Sequence, residues 1–150
     1  MSSNAPLATA GARSGEPSAP SKATSAVAPQ PLPEGYGTWF PHERLDAHRV
    51  LLAAYEAVMR WPGVAFSRGT AGDQLKRALG SALGRYAEGY YAQGGNQASL
   101  WSSARASCGE SATAVLVLGL ERRVSAAQAA EVRELLGRAM CMLSRLSRRS

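Results

Sequence analysis

Residues that could perform catalysis are few and scattered in this sequence. The two histidines, His42 and His48, do not complete the Glu-x-x-His spacing of a di-iron carboxylate site. The His-Glu-x-x-His zinc motif, the Gly-Lys-Ser/Thr phosphate loop and the Gly-x-Ser-x-Gly nucleophile elbow are all missing. His48 falls on a predicted apolar helix face, which favours a core histidine over a general base. The sequence therefore predicts a protein that is not an enzyme and holds no metal or cofactor.

Cysteine spacing and hydropathy argue against a metal-binding, a membrane-spanning or a secreted protein. Cys108 and Cys141 are far apart and lack metal-ligand spacing, so we interpret both as small apolar side chains in a reducing cytoplasm. The longest apolar run, residues 112–120, is far shorter than the roughly 18–20 residues of a membrane span. The N-terminus lacks the basic and apolar blocks of a secretory signal. These features predict a cytoplasmic protein with no membrane partner.

Arginine is the residue type best placed to bind a ligand. Lys and Arg total 17 against 11 Asp and Glu, giving a net charge of +6 and a pI near 9.9. The planar guanidinium suits phosphate, and a basic surface binds nucleic acid through charge and counterion release. The candidate contacts form two sets, Arg138, Arg145, Arg148 and Arg149, then Lys76, Arg77 and Arg105. The alternative is a solvated helix surface, where arginines near a helix C-terminus are also favoured by the dipole.

Aromatic residues add a weaker indication of nucleic-acid binding. Trp101, Tyr90 and Tyr91 are candidates for stacking on bases. Tyr90 fits a hydrophobic core equally well.

These residues lie on four segments in which apolar residues recur at helical spacing. The predicted helices cover about residues 43–61, 71–92, 97–121 and 126–148. Pro62-Gly63 and Gly94-Gly95 are expected to end the first two, and Ser125 with Gln128 is a capping-box signature for the fourth. The core stripe of the first is expected at Leu45, His48, Leu52, Tyr55 and Met59. The stripe of the second is expected at Leu75, Leu79, Ala82, Tyr86 and Tyr90, and that of the third at Leu100, Ala104, Ser107, Ser111, Val115 and Leu118. The fourth is expected to bury Val132, Leu135 or Leu136, Ala139, Leu143 and Leu146. The pattern predicts an all-α, up-down-up-down antiparallel four-helix bundle over residues 38–150. Residues 1–37 are rich in Ala, Ser and Pro and are expected to form a disordered arm.

Two surfaces of the bundle are candidates for contact between subunits. Residues 112–120 are apolar on every side of the third helix, which is typical of a helix that is buried all round. The second helix carries a face of small residues opposite its core stripe, where another backbone could approach closely. The candidate interface residues are Leu116, Val117 and Leu120, with Gly80, Ser81, Gly84 and Glu88. We expect a homo-oligomer; the alternative is that loops or the arm cover this surface.

Residues 74–78 (Gln-Leu-Lys-Arg-Ala), Ser81 and residues 87–89 (Ala-Glu-Gly) resemble a known signature. It belongs to the four-helix bundle proteins first known from intervening sequences in bacterial 23S ribosomal RNA genes. Residues 104–107 and Glu110 look like that family's Ala-Arg-Gly-Ser stretch and the glutamate after it. The resemblance covers about residues 43–148. The departures from the signature are Arg85 for Asn, Tyr86 for Ile and Ala106 for Gly.

The resemblance implies a basic, non-enzymatic bundle that assembles as a ring-shaped pentamer. One branch, the accessory variability determinants of diversity-generating retroelements, is similar in size and charge, and its members partner a reverse transcriptase and bind nucleic acid. The leading hypothesis is therefore a nucleic-acid-associated scaffold or accessory protein that binds RNA or DNA. The competing hypothesis is a protein-only assembly module that never meets nucleic acid.

Overall fold

A computed structural model describes residues 40–149 of the chain. The arm predicted over residues 1–37 lies outside the described residues. The described part contains helices and no strand, which confirms the all-α prediction. A short 3-10 helix, Pro41–Arg44, precedes four α-helices: α1 (Asp46–Met59), α2 (Ala71–Tyr91), α3 (Gly94–Leu120) and α4 (Ala126–Ser147).

Each helix packs against the two that neighbour it around the bundle. Contacts join α1 to α2, α2 to α3, α3 to α4 and α4 back to α1, and the α2–α3 contact is the most extensive. Side chains pair in antiparallel register, since Trp101 meets Tyr86 and Ser107 meets Ser81 across α2 and α3. The starts of α1 and α3 and the ends of α2 and α4 therefore lie at one end of the bundle. This is the predicted up-down-up-down bundle.

The hydrophobic core runs the length of the four helices. The predicted stripes of α2 and α4 are buried except at their ends, where Tyr90 and Leu146 are half-buried. Leu75, Leu79 and Leu143 are fully inaccessible to solvent. On α3, Ser111 is also fully buried, and its hydroxyl donates to the Ser107 carbonyl oxygen at 2.8 Å. That bond satisfies the hydroxyl inside the helix, so a serine fits a core position without an unpaired polar atom.

The face that α1 buries is not the predicted one. Leu45 is 41% exposed, and His48, Leu52, Tyr55 and Met59 are half-buried at the edge of the core. The buried face consists of Ala47, Val50, Leu51, Ala54, Ala57 and Val58. The helix is apolar on two sides, and the side with more alanine and valine is the one that packs. The larger side chains of the predicted stripe lie at the rim of the core, where they are half-buried or exposed.

The helix ends differ from the predictions by a few residues. α1 begins at Asp46 because Pro41–Arg44 forms its own 3-10 helix. Gly94 and Gly95 do not end α2 but form the first turn of α3, where Gly94 has a φ of +56°. The capping box at α4 is confirmed: the Gln128 N–H donates to Ser125 Oγ at 3.2 Å, and the Ser125 N–H donates to Gln128 Oε1 at 2.8 Å.

The junction of α2 and α3 is held by a close approach at Gly89. A β-carbon built on Gly89 would lie 2.6 Å from two ring atoms of Trp101, so only glycine leaves room for that indole. The indole N–H donates to the Tyr86 carbonyl oxygen at 3.3 Å. Gln97 donates its side-chain N–H to the carbonyl oxygens of Gly89 and Ala92 at 3.0 and 2.9 Å, which ties the short connection to the end of α2.

The C-terminus of α3 ends in a Schellman motif. Arg122 adopts a left-handed φ of 56°, its N–H donates to the Gly119 carbonyl oxygen at 3.0 Å, and the Arg123 N–H donates to that of Leu118 at 2.9 Å. This geometry favours glycine at the left-handed position. An arginine there stores backbone strain on the order of 1 kcal/mol.

Candidate nucleic-acid and assembly surfaces

Three arginines cluster where α4 ends. Arg145 lies in the last turn of α4 and Arg148 and Arg149 follow it, all exposed. The negative end of the helix dipole stabilises cations at these positions. Within residues 40–149, ion pairs engage Arg60, Arg77 and Arg85 but none of these three. We call this end of the bundle the arginine end.

Arg105 joins this group from the neighbouring helix. Its Nη1 donates to Ser144 Oγ at 3.1 Å, which places it beside the last turns of α4. Arg138 lies two turns before Arg145 on α4 and is half-buried. The structure thus brings Arg105, from the second predicted set, to the first set.

Lys76 and Arg77 lie apart from the other candidates. Both are exposed in the first half of α2, which starts at the opposite end of the bundle. At 1.5 Å per residue, they are on the order of 20 Å along the axis from the end of α2. The Arg77 guanidinium also pairs with the Asp73 carboxylate, with Nη2 and Oδ2 3.2 Å apart. The two predicted sets therefore do not form one continuous patch.

Two further arginines lie at the arginine end, Arg44 and Arg49. Arg44 belongs to the 3-10 helix and Arg49 to the first turns of α1, and both are exposed. They lie near the end of α4 because α1 packs antiparallel against it. Their positions around the start of α1, combined with the topology of the bundle, place them at this end.

A cluster of aromatic rings surrounds His42 at the same end. The ring of His42 stacks on Phe40 at 5.9 Å and meets His48 and Tyr91 edge-on at 5.2 and 5.6 Å. Its Nδ1 is 3.1 Å from the Tyr91 hydroxyl oxygen, within hydrogen-bond distance. The rings of this aromatic cluster are Phe40, His42, His48, Tyr86, Tyr90 and Tyr91.

Exposure divides the stacking candidates. Tyr91 is 59% exposed, whereas Tyr90 is half-buried. Trp101 is only 7% exposed, so the prediction that it stacks on bases is wrong: its indole fills the space over Gly89. Phe40, which is 54% exposed, is an aromatic surface that the sequence pattern did not indicate.

Burial is the main cause of the pKa shifts of His48 and Tyr86. Burial lowers the pKa of His48 below its usual 6.5, and the neighbouring His42 lowers it further, while Glu43 raises it. Burial also raises the pKa of Tyr86 to about 12, with additional contributions from Tyr90 and Asp46. His48 and Tyr86 are both neutral at pH 7, so they add no charge to the arginine end.

The candidate interface residues lie on the outer side of α2 and α3. Leu116, Val117 and Leu120 are 48%, 37% and 77% exposed. Val117 lines an open groove of about 520 Å³ between the two helices, together with Ser81 and other residues of α2. One residue from each predicted interface set therefore meets in the same groove.

Of the other residues of this face, Gly80 precedes Ser81, whereas Gly84 and Glu88 lie farther along α2. A β-carbon at Gly80 or Gly84 would meet nothing within 4 Å, so neither glycine is required by packing within the chain. Glu88 lies near the end of α2 and accepts a hydrogen bond from Arg85 at 2.9 Å. Neither of these facts gives Gly80, Gly84 or Glu88 a role inside the bundle core.

The two cysteines differ in exposure. Cys108 is fully buried, and burial raises the pKa of its thiol to about 12, so the reactive thiolate is disfavoured. Cys141 is exposed, which corrects its interpretation as an apolar filler of the core. Within residues 40–149, no three His, Cys, Asp or Glu side chains converge as a metal site. No helix in that range has the length and apolarity required to cross a membrane.

No protein-family model matches the chain, and no curated protein matches it either.

Proposed function

We propose that this protein is a non-enzymatic, basic four-helix bundle of the cytoplasm that assembles as a homo-oligomer. In this proposal it acts as a nucleic-acid-associated scaffold or accessory protein. The observation that carries the proposal is the arginine end, where Arg145, Arg148 and Arg149 are exposed without a carboxylate partner within residues 40–149. Such guanidinium groups are available to phosphates, and contacts to phosphate supply most non-specific affinity.

Assembly into an oligomer strengthens the same interaction. Each subunit presents its own arginine end, so a strand that contacts one subunit meets the next at a high effective concentration. The exposed apolar side chains of Leu116, Val117 and Leu120 support assembly, because burying them against another subunit removes apolar surface from water. The resemblance to the intervening-sequence family supports a pentamer.

The resemblance also supports a partner for the oligomer, a reverse transcriptase of a diversity-generating retroelement. The neighbouring genes test this branch directly. A reverse transcriptase gene beside a template repeat supports it, and copurification of the two proteins establishes the contact. A neighbourhood without a reverse transcriptase contradicts this part of the proposal.

Salt-dependent binding tests the nucleic-acid proposal. We expect the Arg145, Arg148 and Arg149→Gln triple variant to weaken binding to unrelated sequences about equally, because phosphates carry no base identity. The slope of log affinity against log salt should flatten by about 0.7–0.9 for each phosphate that the variant no longer neutralises. The melting temperature should barely change, since exposed substitutions usually alter stability by about 0.5 kcal/mol or less.

A second triple variant controls for net charge. Arg68, Arg122 and Arg123 are exposed in loops at the opposite end of the bundle, and changing all three to Gln removes the same charge. This variant should retain most of the affinity and most of the salt slope. Equal reductions in both variants would show that only the total charge matters and would contradict a site at the arginine end.

The second candidate function is a protein-only assembly module. The exposed Leu116, Val117 and Leu120 beside the α2–α3 groove favour it, because they provide a contact surface that needs no nucleic acid. An oligomer that binds neither RNA nor DNA at low salt, where electrostatic attraction is strongest, would replace the leading proposal with this one.

A further inference from the structure

We infer that the aromatic cluster and the arginine end together form a site for single-stranded nucleic acid, an inference that rests on the proposed function and specifies its ligand. In this site Tyr91 and Phe40 stack on unpaired bases, and the surrounding arginines hold the phosphates.

The two stacking rings are accessible and supported from behind. Tyr91 is 59% exposed, and its neighbours His42 and Tyr90 meet it at 81° and 84°, so neither lies parallel over its face. Phe40 is 54% exposed and stacks against His42 with their planes 19° apart. The contact of 3.1 Å between His42 Nδ1 and the Tyr91 hydroxyl restrains the tyrosine. Rings that are fixed before binding lose little conformational entropy when a base stacks on them.

Two guanidinium groups lie on the same stretch of chain as these rings, which also carries the carboxylates of Glu43 and Asp46. Arg44 follows His42 by two residues, Arg49 follows His48 by one, and both side chains are exposed. The antiparallel packing of α1 against α4 adds Arg145 to the same end of the bundle. Rings on which bases can stack, beside guanidinium groups that contact a backbone, are the combination by which proteins hold single strands.

An unpaired base is the ligand that this geometry favours over a duplex. In a duplex both faces of each base are covered by stacked neighbours, so an exposed tyrosine or phenylalanine has no base face to contact. A single strand presents those faces, and the stacking tolerates any base because every base has a π-face. RNA and DNA share this chemistry, so the site is assigned to unpaired bases on a phosphodiester backbone.

Binding of the full chain to four labelled ligands tests the site. The ligands are oligothymidylate, oligouridylate, an abasic oligonucleotide of the same length and a duplex, each followed by fluorescence anisotropy at low salt. The wild-type protein should bind the single strands more tightly than the abasic strand, which has the same phosphates but no bases. Comparison of oligothymidylate with oligouridylate shows whether DNA or RNA is preferred.

Substitution of the rings then locates the base contacts. Tyr91→Ala should weaken binding to oligothymidylate by about 5- to 150-fold, the range measured for loss of one stacked base. Binding to the abasic strand should change little. Tyr91→Phe keeps the ring but loses the contact with His42, so it should lose much less affinity than Tyr91→Ala. Phe40→Ala should behave as Tyr91→Ala does. Circular dichroism melting of each variant checks that the bundle is intact.

The outcomes separate this inference from the proposed function. Salt-dependent binding that is equal for oligothymidylate, the abasic strand and the duplex overturns the stacking site and leaves the proposed function intact. An unchanged preference for bases in both alanine variants overturns the assignment to Tyr91 and Phe40. The comparison with the abasic strand uses unaltered protein, so it decides the question even if a variant unfolds. Absence of all binding at low salt overturns both proposals.

Discussion

Gly89→Ala should destabilise the bundle, although alanine is a better helix former than glycine. The added methyl group would lie 2.6 Å from Cδ1 and Nε1 of Trp101, so the indole must shift by several tenths of an ångström. Trp101 is only 7% exposed, and a shift weakens its 3.3 Å hydrogen bond to the Tyr86 carbonyl oxygen. Overpacking costs about 1–3 kcal/mol and loss of the hydrogen bond about 0.5–1.5 kcal/mol. The helix propensity of alanine offsets about 0.5–1 kcal/mol, which leaves a net loss of about 2 kcal/mol.

Gly137→Ala, inside α4, is the control, because Gly137 is exposed and lies outside the proposed interface. A β-carbon there meets nothing within 4 Å, so the free energy of unfolding should rise by about 0.5–1 kcal/mol. Urea denaturation followed by circular dichroism, at one protein concentration for all variants, measures both changes. A Gly89→Ala variant that is as stable as the Gly137→Ala variant would show that the Trp101 contact does not set the spacing of α2 and α3.

Charge, backbone geometry and exposure lead to four further predictions. Burial lowers the pKa of His48 below 6.5, so the unfolded chain binds a proton at a higher pH than the folded chain does. The melting temperature should therefore fall as the pH drops through and below 6.5. The melting temperature of the His48→Gln variant should depend less on pH over the same range. Arg122→Gly should raise the free energy of unfolding in urea by about 1 kcal/mol, because Arg122 holds a left-handed φ of 56°. Leu116→Asp should dissociate the oligomer in light scattering, since an unpaired charge in an interface costs about 3–5 kcal/mol, whereas Ser103→Asp on an exposed position of the same helix should not. Removal of residues 1–37 should leave the melting transition unchanged, because the packed core lies in the described bundle.

Periodicity predicted three of the four core faces, and the exception has a physical reason. On α2, the stripe through Leu75 and Tyr86 is strongly apolar on one side only, so its burial follows from the sequence. On α1, the pattern through Leu52 and Tyr55 competes with a second pattern through Leu51 and Ala54. Counting large apolar residues selects the first pattern. Close packing between two neighbouring helices selects the second, and spacing along one helix does not contain that information.

Most of the proximities within the candidate sites could not be predicted from the sequence, because they depend on how the helices pack. Arg138 and Arg145 could be assigned to one face from the sequence, because both lie on the fourth helix, seven residues apart. The proximity of Arg105 to Ser144 could not, since 39 residues separate them and a hydrogen bond across two helices sets their register. Burial of Trp101 was equally hidden, because it depends on the missing side chain at Gly89.

The residues that resemble the family signature divide by the role that the fold gives them. Leu75, Ala78 and Gly89 are buried, and packing within the chain explains each of them. Arg77 and Ser81 are exposed beside the α2–α3 groove and make polar contacts at the surface, which leaves contact between molecules as their proposed role. The groove lies toward the start of α2 and the end of α3, whereas the arginine end is at the other end of the bundle. In the proposed oligomer, assembly and nucleic-acid binding therefore use different surfaces. Substitutions in the groove should remove the avidity of the oligomer while each subunit keeps its own phosphate contacts.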